Sequence, residues 1–291
     1  MAGICKINNP VCVTQVAILI LLFSISSKAQ PYLDVINLRY ANSPHAGFVN
    51  QNNNEVKIQY FNFSTNIPLQ FNHKKDAVIF SPFIEKWSSQ INNFKQQDYY
   101  GVALPVSLSK RIPNSKWNIL LTGIARMNDR CIHNKSKWQV GGAFIAAYKK
   151  SETLTYKAGL YVNNDLFAVF VMPLLGIDWN ITQRDNLFGI LPGNLTYEHK
   201  LNKHLYYGAA FRAITNSYAV NNAYWRIDEN QLGLYMDTYL NKNIVLNIEG
   251  GHSVLRKIRT GVKHVSKYDA DVNDGVYFKI ALTYRIRFLK S

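Results

Sequence analysis

The sequence has little of what marks a disulfide-stabilised, acidic or helical membrane protein. Its 291 residues include three cysteines, and charged residues make up only 18%. Acidic residues number 18 against 33 basic ones, which gives a formal net charge of +15. The longest apolar run, from about Val16 to Phe23, is shorter than the roughly 20 residues that a membrane-spanning helix needs.

The first thirty residues have the pattern of a secretory signal peptide. Lys6 precedes the apolar run, and Ser27-Lys28-Ala29 forms a cleavage site with small residues. We predict a signal peptide over residues 1–29 and one mature domain over residues 30–291. Cleavage removes two positive charges together with Cys5 and Cys12, so Cys131 is left without an internal disulfide partner.

The remaining positive charge predicts contact with acidic lipid headgroups or lipopolysaccharide. No helix-turn-helix, zinc or RNA-binding motif is present, so nucleic acid is not an expected partner. A basic surface with no dedicated partner is the alternative interpretation.

Alternation of apolar and polar residues predicts the fold. The chain repeats segments of about ten to thirteen residues in which one face is apolar, for example Trp117, Ile119 and Leu121 against Asn118 and Thr122. Such segments match tilted bilayer-spanning strands of about nine to eleven residues. We predict an all-β, transmembrane, antiparallel up-and-down β-barrel in the cell outer membrane.

The lengths of the connections predict the strand number, and aromatic residues at the strand ends predict the two rims. Short polar turns occur near residues 149–152, 182–185, 200–203 and 241–242, and longer loops are predicted near 42–54, 88–97, 128–136, 217–230 and 256–274. The number of strands is even if both termini lie on one side of the membrane. Separate strands at 186–191 and 194–200 give fourteen strands, and twelve is the alternative. Aromatic residues at strand ends, including Trp87, Trp117, Trp138 and Trp179, predict two interfacial girdles.

Residues 153–211 carry a family pattern in the phrases YKAGLYVNND, PLLGIDWNI, LFGILP and LTYEHKLNKHLYYG. In this order and spacing they resemble a family of outer-membrane β-barrel proteins of unknown function from Bacteroidota. Weaker similarity continues at residues 37–44 and 231–254. The chain departs from the family at Asn186-Leu187-Phe188, where many members have a Trp. The resemblance implies fold and location, and it brings no catalytic, cofactor or ligand-binding residues.

Charged residues on the inward faces of the predicted strands are the main candidate site. In a small barrel they usually pair across strands and fill the lumen. The alternative is a basic lumen that selects anions. The predicted lumen-facing charges are Lys57, Arg126, Lys157, Arg212, Asp237, Glu249, Lys279, Arg285 and Arg287.

The last strand is predicted to turn Phe278 to Phe288 toward lipid and to pair with the first strand near Leu33 to Tyr40. Tyr284, Ile286 and Phe288 resemble the terminal signal by which bacterial barrel-assembly machinery recognises its clients. That machinery is therefore an expected partner.

Catalysis and metal binding have weak support. The histidines at 45, 73, 133, 199, 204, 252 and 264 show no metal-ligand spacing, and no cofactor is predicted. A lipid hydrolase using Ser253 and His252 is the enzymatic alternative, but adjacent residues of one strand point to opposite faces. The sequence thus favours a non-enzymatic barrel, either a small passive channel or a structural and surface-interaction protein.

Overall fold

In a computed structural model, the described residues are 31–49, 51–72, 76–92, 94–132, 136 and 138–288, without the side chains of residues 45 and 51–53. The predicted signal peptide lies outside them. The strands are β1 Tyr32–Phe48, β2 Gln51–Thr65, β3 Ile67–Phe71, β4 Asp76–Phe80, β5 Phe83–Ile91, β6 Gln97–Arg111, β7 Trp117–Asp129, β8 Trp138–Lys149, β9 Leu154–Asn164, β10 Val169–Asn180, β11 Asp185–Leu191, β12 Asn194–Lys200, β13 Leu205–Val220, β14 Ala223–Tyr239, β15 Ile244–Val262, β16 Val265–Val272 and β17 Gly275–Arg287.

These segments form a closed antiparallel barrel of 14 strands, because three barrel strands are each broken into two segments. β2 continues into β3, β4 into β5, and β16 into β17. β17 closes the sheet on β1, in a register that runs from Tyr32 opposite Arg287 to Asn42 opposite Phe278. The predictions of fourteen strands, of separate β11 and β12, and of pairing between the last and first strands are confirmed. In the described chain, no helix is long and apolar enough to span a membrane.

Both ends of the described chain lie at one rim, which we call the near end, and the opposite rim is the far end. Turns at 150–153, 181–184, 201–204 and 240–243 join strands at the near end, as predicted. The predicted long loops at 42–54, 217–230 and 256–274 are wrong. Strand pairing continues through them into hairpins with tight turns, such as Asn221-Asn222 and Lys263-His264, where Asn221 and His264 have positive φ.

The outer face of the barrel is apolar. Along β17, Phe278, Ile280 and Leu282 are exposed, whereas Tyr277, Ala281 and Thr283, at the alternate positions, are buried. Alternation places one set outside and the other inside because successive strand residues point to opposite faces. The predicted girdle residues Trp117, Trp138 and Trp179 are also exposed on this outer face, and so is Tyr156.

The far half of the interior is a packed apolar core. Trp87, predicted for a girdle, is instead 1% exposed and packs in this core against Tyr60, with ring centroids 4.4 Å apart. Tyr99 stacks on Trp225 at 4.1 Å, and Tyr218 is fully buried beside them. Since β1, β2, β5, β6 and β13 to β16 all contribute to the cluster, this end of the lumen is filled by side chains.

Candidate functional site

The near half of the interior is filled by ion pairs instead, and Glu249 on β15 is the centre of one group. Arg212 on β13 donates to both of its carboxylate oxygens, at 2.6 and 2.5 Å. Tyr277 donates to Glu249 Oε1 at 2.6 Å, and Lys279 donates to Oε2. Glu249 is 1% exposed, so its charge is satisfied by these neighbours rather than by water.

A second group surrounds the seam where the barrel closes. Arg285 donates to Asp34 on β1 at 2.5 Å and to Asp237 on β14 at 2.6 Å. Arg287 donates to both oxygens of Glu198 on β12, at 2.9 and 2.7 Å. The network therefore joins the last strand to the first strand and to the wall across the lumen.

Charge is balanced across these two groups. The four cations Arg212, Lys279, Arg285 and Arg287 bond to the four carboxylates Glu249, Asp34, Asp237 and Glu198. Lys157 on β9 pairs with Asp178 on β10 at 2.7 Å. Paired charges of equal number leave little excess positive potential along this wall.

Two predicted lumen charges lie away from this network. Arg126 is inward and buried near the far end, where its Nη2 donates to Asn216 Oδ1 at 3.2 Å. The prediction that Lys57 faces the lumen is wrong. Val56, Ile58 and Tyr60 are the buried residues of β2, so the residues between them point outward, and Lys57 lies opposite Gln90 on that outer face.

Tyr284 and Ile286 of the predicted terminal signal lie half-buried on the outward face of β17, and Phe288 follows the end of that strand. The Phe288 N–H donates to Pro31 O at 3.0 Å, which holds the described C-terminal end beside the start of β1.

Sequence reasoning missed several polar partners in the interior. Asp34, Glu198 and Glu85 were not identified, although each lies at a buried or half-buried position on its strand. Glu229 was also missed. It accepts from Ser253 at 2.5 Å and lies 3.9 Å from Arg256, whose side chain is 2% exposed. A carboxylate at an inward position of a predicted strand was the available signal.

The far end is crossed by a hairpin made of residues 213–230, the upper parts of β13 and β14, which we call the crossing hairpin. Instead of continuing along the wall, β13 reaches β7, where Ala219 pairs with Asp129 in a parallel bridge. Arg130 N donates to Ala219 O at 3.0 Å, and Asn128 Nδ2 donates to Ser217 O at 2.9 Å. The hairpin therefore divides the lumen at this end.

Carboxylates on the wall hold the crossing hairpin in place. Tyr218 donates to Glu85 on β5 at 2.6 Å, and Ser217 donates to Asp165 in the β9–β10 turn. Phe167 of the same turn packs near Tyr224, with ring centroids 6.1 Å apart, and its carbonyl accepts from His264 N at 2.7 Å. Both faces of the hairpin are thus fixed by specific contacts.

The interior is less filled along β7 to β11. Several inward residues there are partly exposed, although others, such as Gln139 and Asp178, are buried, as Glu249, Ser253 and Asp237 are on β14 and β15. The partly exposed residues include Leu120, Thr122, Ile124, Ala143, Leu174 and Ile190. The solvent-accessible part of the lumen therefore follows this side of the barrel.

The residues of the enzymatic alternative point apart. His252 is exposed, whereas Ser253 is fully buried and donates to Glu229, so the imidazole cannot take the Ser253 proton. No three His, Cys, Asp or Glu side chains lie close enough to hold a metal ion in the part of the chain that the structure describes. His73 and His133 fall outside that part.

The model of the family described as "Domain of unknown function (DUF6268)" matches residues 28–289, and the chain belongs to that family. No curated protein matches it in sequence.

Several solved structures are similar to this chain. The COG4313 outer membrane channel from Pseudomonas putida F1 is similar at a TM-score of 0.50 and 6% identity, over 91% of this chain and 100% of that one. The NanC porin has a TM-score of 0.35 and 7% identity, over 87% of this chain and 100% of that one. The translocator domain of the autotransporter NalP from Neisseria meningitidis has a TM-score of 0.37 and 10% identity, over 95% of this chain and 96% of that one.

Proposed function

We propose that this DUF6268 protein is an outer-membrane channel that is closed at rest by its crossing hairpin. The observation that carries the proposal is the docking of β13 on β7, where Tyr218 and Ser217 bond to carboxylates of the wall. Polar contacts join the hairpin to the wall, while its Tyr218, Trp225 and Ile227 pack in the apolar core and its β14 side stays paired with β15. An element that lies across a lumen and is fixed by such separate contacts can have two positions.

The partly exposed interior along β7 to β11 supports the channel. In this proposal, a solute passes beside these partly exposed residues to reach the underside of the crossing hairpin. Because the charges on the opposite wall are paired in equal number, the proposal does not include the alternative that the sequence left open, a basic lumen that selects anions.

Location and assembly belong to the same proposal. The apolar outer face and the exposed aromatic residues suit an outer membrane that contains lipopolysaccharide. Export by the predicted signal peptide and insertion by the barrel-assembly machinery, through Tyr284, Ile286 and Phe288, are further parts of it. A source in Bacteroidota stays a prediction. Retention in carbonate-washed envelopes would support the location, and recovery as soluble periplasmic protein would contradict it.

Single-channel recording in planar bilayers tests the gate. We expect wild-type protein to be closed most of the time and the double variant Ser217→Ala/Tyr218→Phe to open more often. Hydrogen bonds to charged groups contribute roughly 1.5–3 kcal/mol each, so open probability should rise by about tenfold or more.

The matched control is Tyr40→Phe, which removes a tyrosine hydroxyl that is bonded to Gln59 on the outer face. It should behave as wild type. Steady ohmic conductance of the wild type would contradict closure at rest. Silence of both wild type and the double variant, in folded protein with heat-modifiable mobility, would instead favour a structural or surface-interaction barrel.

A further inference from the structure

The barrel wall is incomplete between β10 and β13. β11 and β12 have 7 residues each, whereas β10 has 12 and β13 has 16. Pairing of β10 with β11 ends at Leu175 opposite Leu191, and pairing of β12 with β13 ends at Asn194 opposite Arg212. Above the Pro192-Gly193 turn, a notch therefore separates the two longer strands.

The two edges of the notch are satisfied differently. On the β13 side, Ala213 N donates to Gly193 O. Across the lumen, the carbonyls of Ser217 and Ala219 accept from Asn128 Nδ2 and Arg130 N, respectively. On the β10 side, Val169 to Leu174 pair with β9 but have no partner strand toward the notch in the pairings that the structure describes. The crossing hairpin thus leaves the wall at the place where the notch begins.

Pro173 lies on the open edge of β10. Asn180 N bonds to the β9 side and Ile181 N to the β11 side. Because alternate residues of a strand direct their backbone groups to opposite neighbours, Val169, Val171 and Pro173 direct theirs into the notch. Proline has no N–H to leave unbonded, and it is tolerated at a strand edge for that reason.

The notch opens at bilayer depth if the protein sits in the outer membrane as proposed. Strands of seven residues are shorter than the about nine to eleven that cross the hydrocarbon. Leu187, four positions before the end of β11, already lies opposite the outward Trp179. Outside the notch, Val169, Val171 and Leu175 are all more than half exposed. Non-helical backbone at this depth must line a cavity or be covered.

Behind the notch, the inner face changes from apolar to polar. Met172 and Leu174 are inward and partly exposed, and Tyr161 lies directly opposite Met172. Arg126, which donates to Asn216 Oδ1, lies near Tyr161 on this inner face. Gln139, opposite Arg126 and 1% exposed, has neither amide atom hydrogen-bonded. Unbonded buried donors and acceptors favour a polar ligand group.

We propose that the notch is a lateral binding site for a single-chain amphiphile with an uncharged, hydroxyl-bearing head group, which exchanges directly with the membrane. The acyl chain occupies the notch beside Met172 and Leu174, and the head group reaches Tyr161 and Arg126. An uncharged head group fits because Lys157 is already paired with Asp178, and Arg126 already donates to Asn216, whose amide in turn donates to Glu85.

Photolabelling tests the site. Full-length mature protein in phosphatidylcholine vesicles is exposed to a monoacylglycerol with a diazirine in its acyl chain, and labelled peptides are mapped by mass spectrometry. We expect labelling of Val169 to Leu174 and the facing part of β13 above the level of the remaining outer face. Ala213→Trp, which places a bulky side chain at the floor of the notch, should remove that excess.

The matched control is Ala125→Trp. Ala125 also points outward, but it lies between Leu104 and Val140 on fully paired strands. In the Ala125→Trp variant, the excess labelling beside the notch should persist. Three outcomes would each overturn the proposal. The first is uniform labelling of the outer face, and the second is an excess that survives Ala213→Trp. The third is an excess seen with photoreactive fatty acid or lysophosphatidylcholine but not with monoacylglycerol. The gating experiment is independent, since a channel can open by its hairpin whether or not the notch binds an amphiphile.

Discussion

Arg285 on the last barrel strand donates from Nε to Asp34 Oδ1 on the first strand at 2.5 Å. The same guanidinium donates to Asp237 Oδ2 at 2.6 Å, so one buried side chain joins three strands at the seam. We expect Arg285→Ala to lower the free energy of unfolding by about 3–5 kcal/mol, because it leaves two carboxylates without their cation. Urea unfolding in vesicles measures the loss.

The comparison variant is Lys86→Ala. Lys86 and Asp98 form an outward ion pair of 2.9 Å, with side chains 36% and 30% exposed. Exposed pairs contribute about 0–1 kcal/mol. Equal losses in the two variants would mean that the seam contact has no special role in stability.

Ion selectivity should depend on Glu249. With Glu249 present, four cations of the inner network face four carboxylates, and Glu249→Gln leaves one positive charge in excess. In the Ser217→Ala/Tyr218→Phe background, we expect weak selectivity that shifts toward anions when Glu249→Gln is added. Reversal potentials in a KCl gradient measure the shift.

Glu152→Gln is the control for this charge change, because Glu152 lies in an exposed near-end turn beside Lys149. It should leave the reversal potential unchanged. Strong anion preference before any change at Glu249 would show that the paired charges do not cancel along the conduction path.

A disulfide should lock the crossing hairpin. Asp129 and Ala219 are register partners between β7 and β13. Directly paired strand residues fall within the Cα separation of about 4.4–6.8 Å that disulfides need. In a Cys131→Ser background, Asp129→Cys with Ala219→Cys should reduce opening under oxidising conditions, and dithiothreitol should restore it.

Either single cysteine variant is the control and should not respond to oxidation. Unchanged opening in the oxidised double variant, with the disulfide verified by mass spectrometry, would show that the route does not pass the hairpin.

The closed barrel could be predicted from the sequence because alternation is a local property. Each strand shows its two faces in its own residues, as Phe278, Ile280 and Leu282 do on β17. The separate strands β11 and β12 followed from keeping the short turns on one side. The pairing of β17 with β1 followed from closure, since a barrel has no edge.

The far end could not be predicted in the same way. Polar residues between 217 and 230 favour a loop locally, yet β13 and β14 pair there from Ser217 opposite Arg226 to Val220 opposite Ala223. Trp87 faces inward because the crossing hairpin brings Tyr218 and Trp225 into the lumen with it, and that depends on residues far apart in sequence. Lys57 was misassigned because the local polar pattern did not identify which face of β2 is buried.

Two glycines on the barrel wall should respond in opposite ways to alanine. A Cβ on Gly233 of β14 would collide with the Tyr277 hydroxyl and come within 3.1 Å of Glu249 Cγ. We expect Gly233→Ala to displace Tyr277 from Glu249 and to cost about 1–3 kcal/mol of unfolding free energy. A Cβ on Gly123 of β7 would meet nothing within 4 Å. Gly123→Ala should therefore leave stability unchanged or raise it by about 0.4–1 kcal/mol, through the lower entropy of the unfolded chain. Urea unfolding of both variants makes the comparison, and a Gly233→Ala variant as stable as Gly123→Ala would show that the Tyr277–Glu249 contact is not tightly packed.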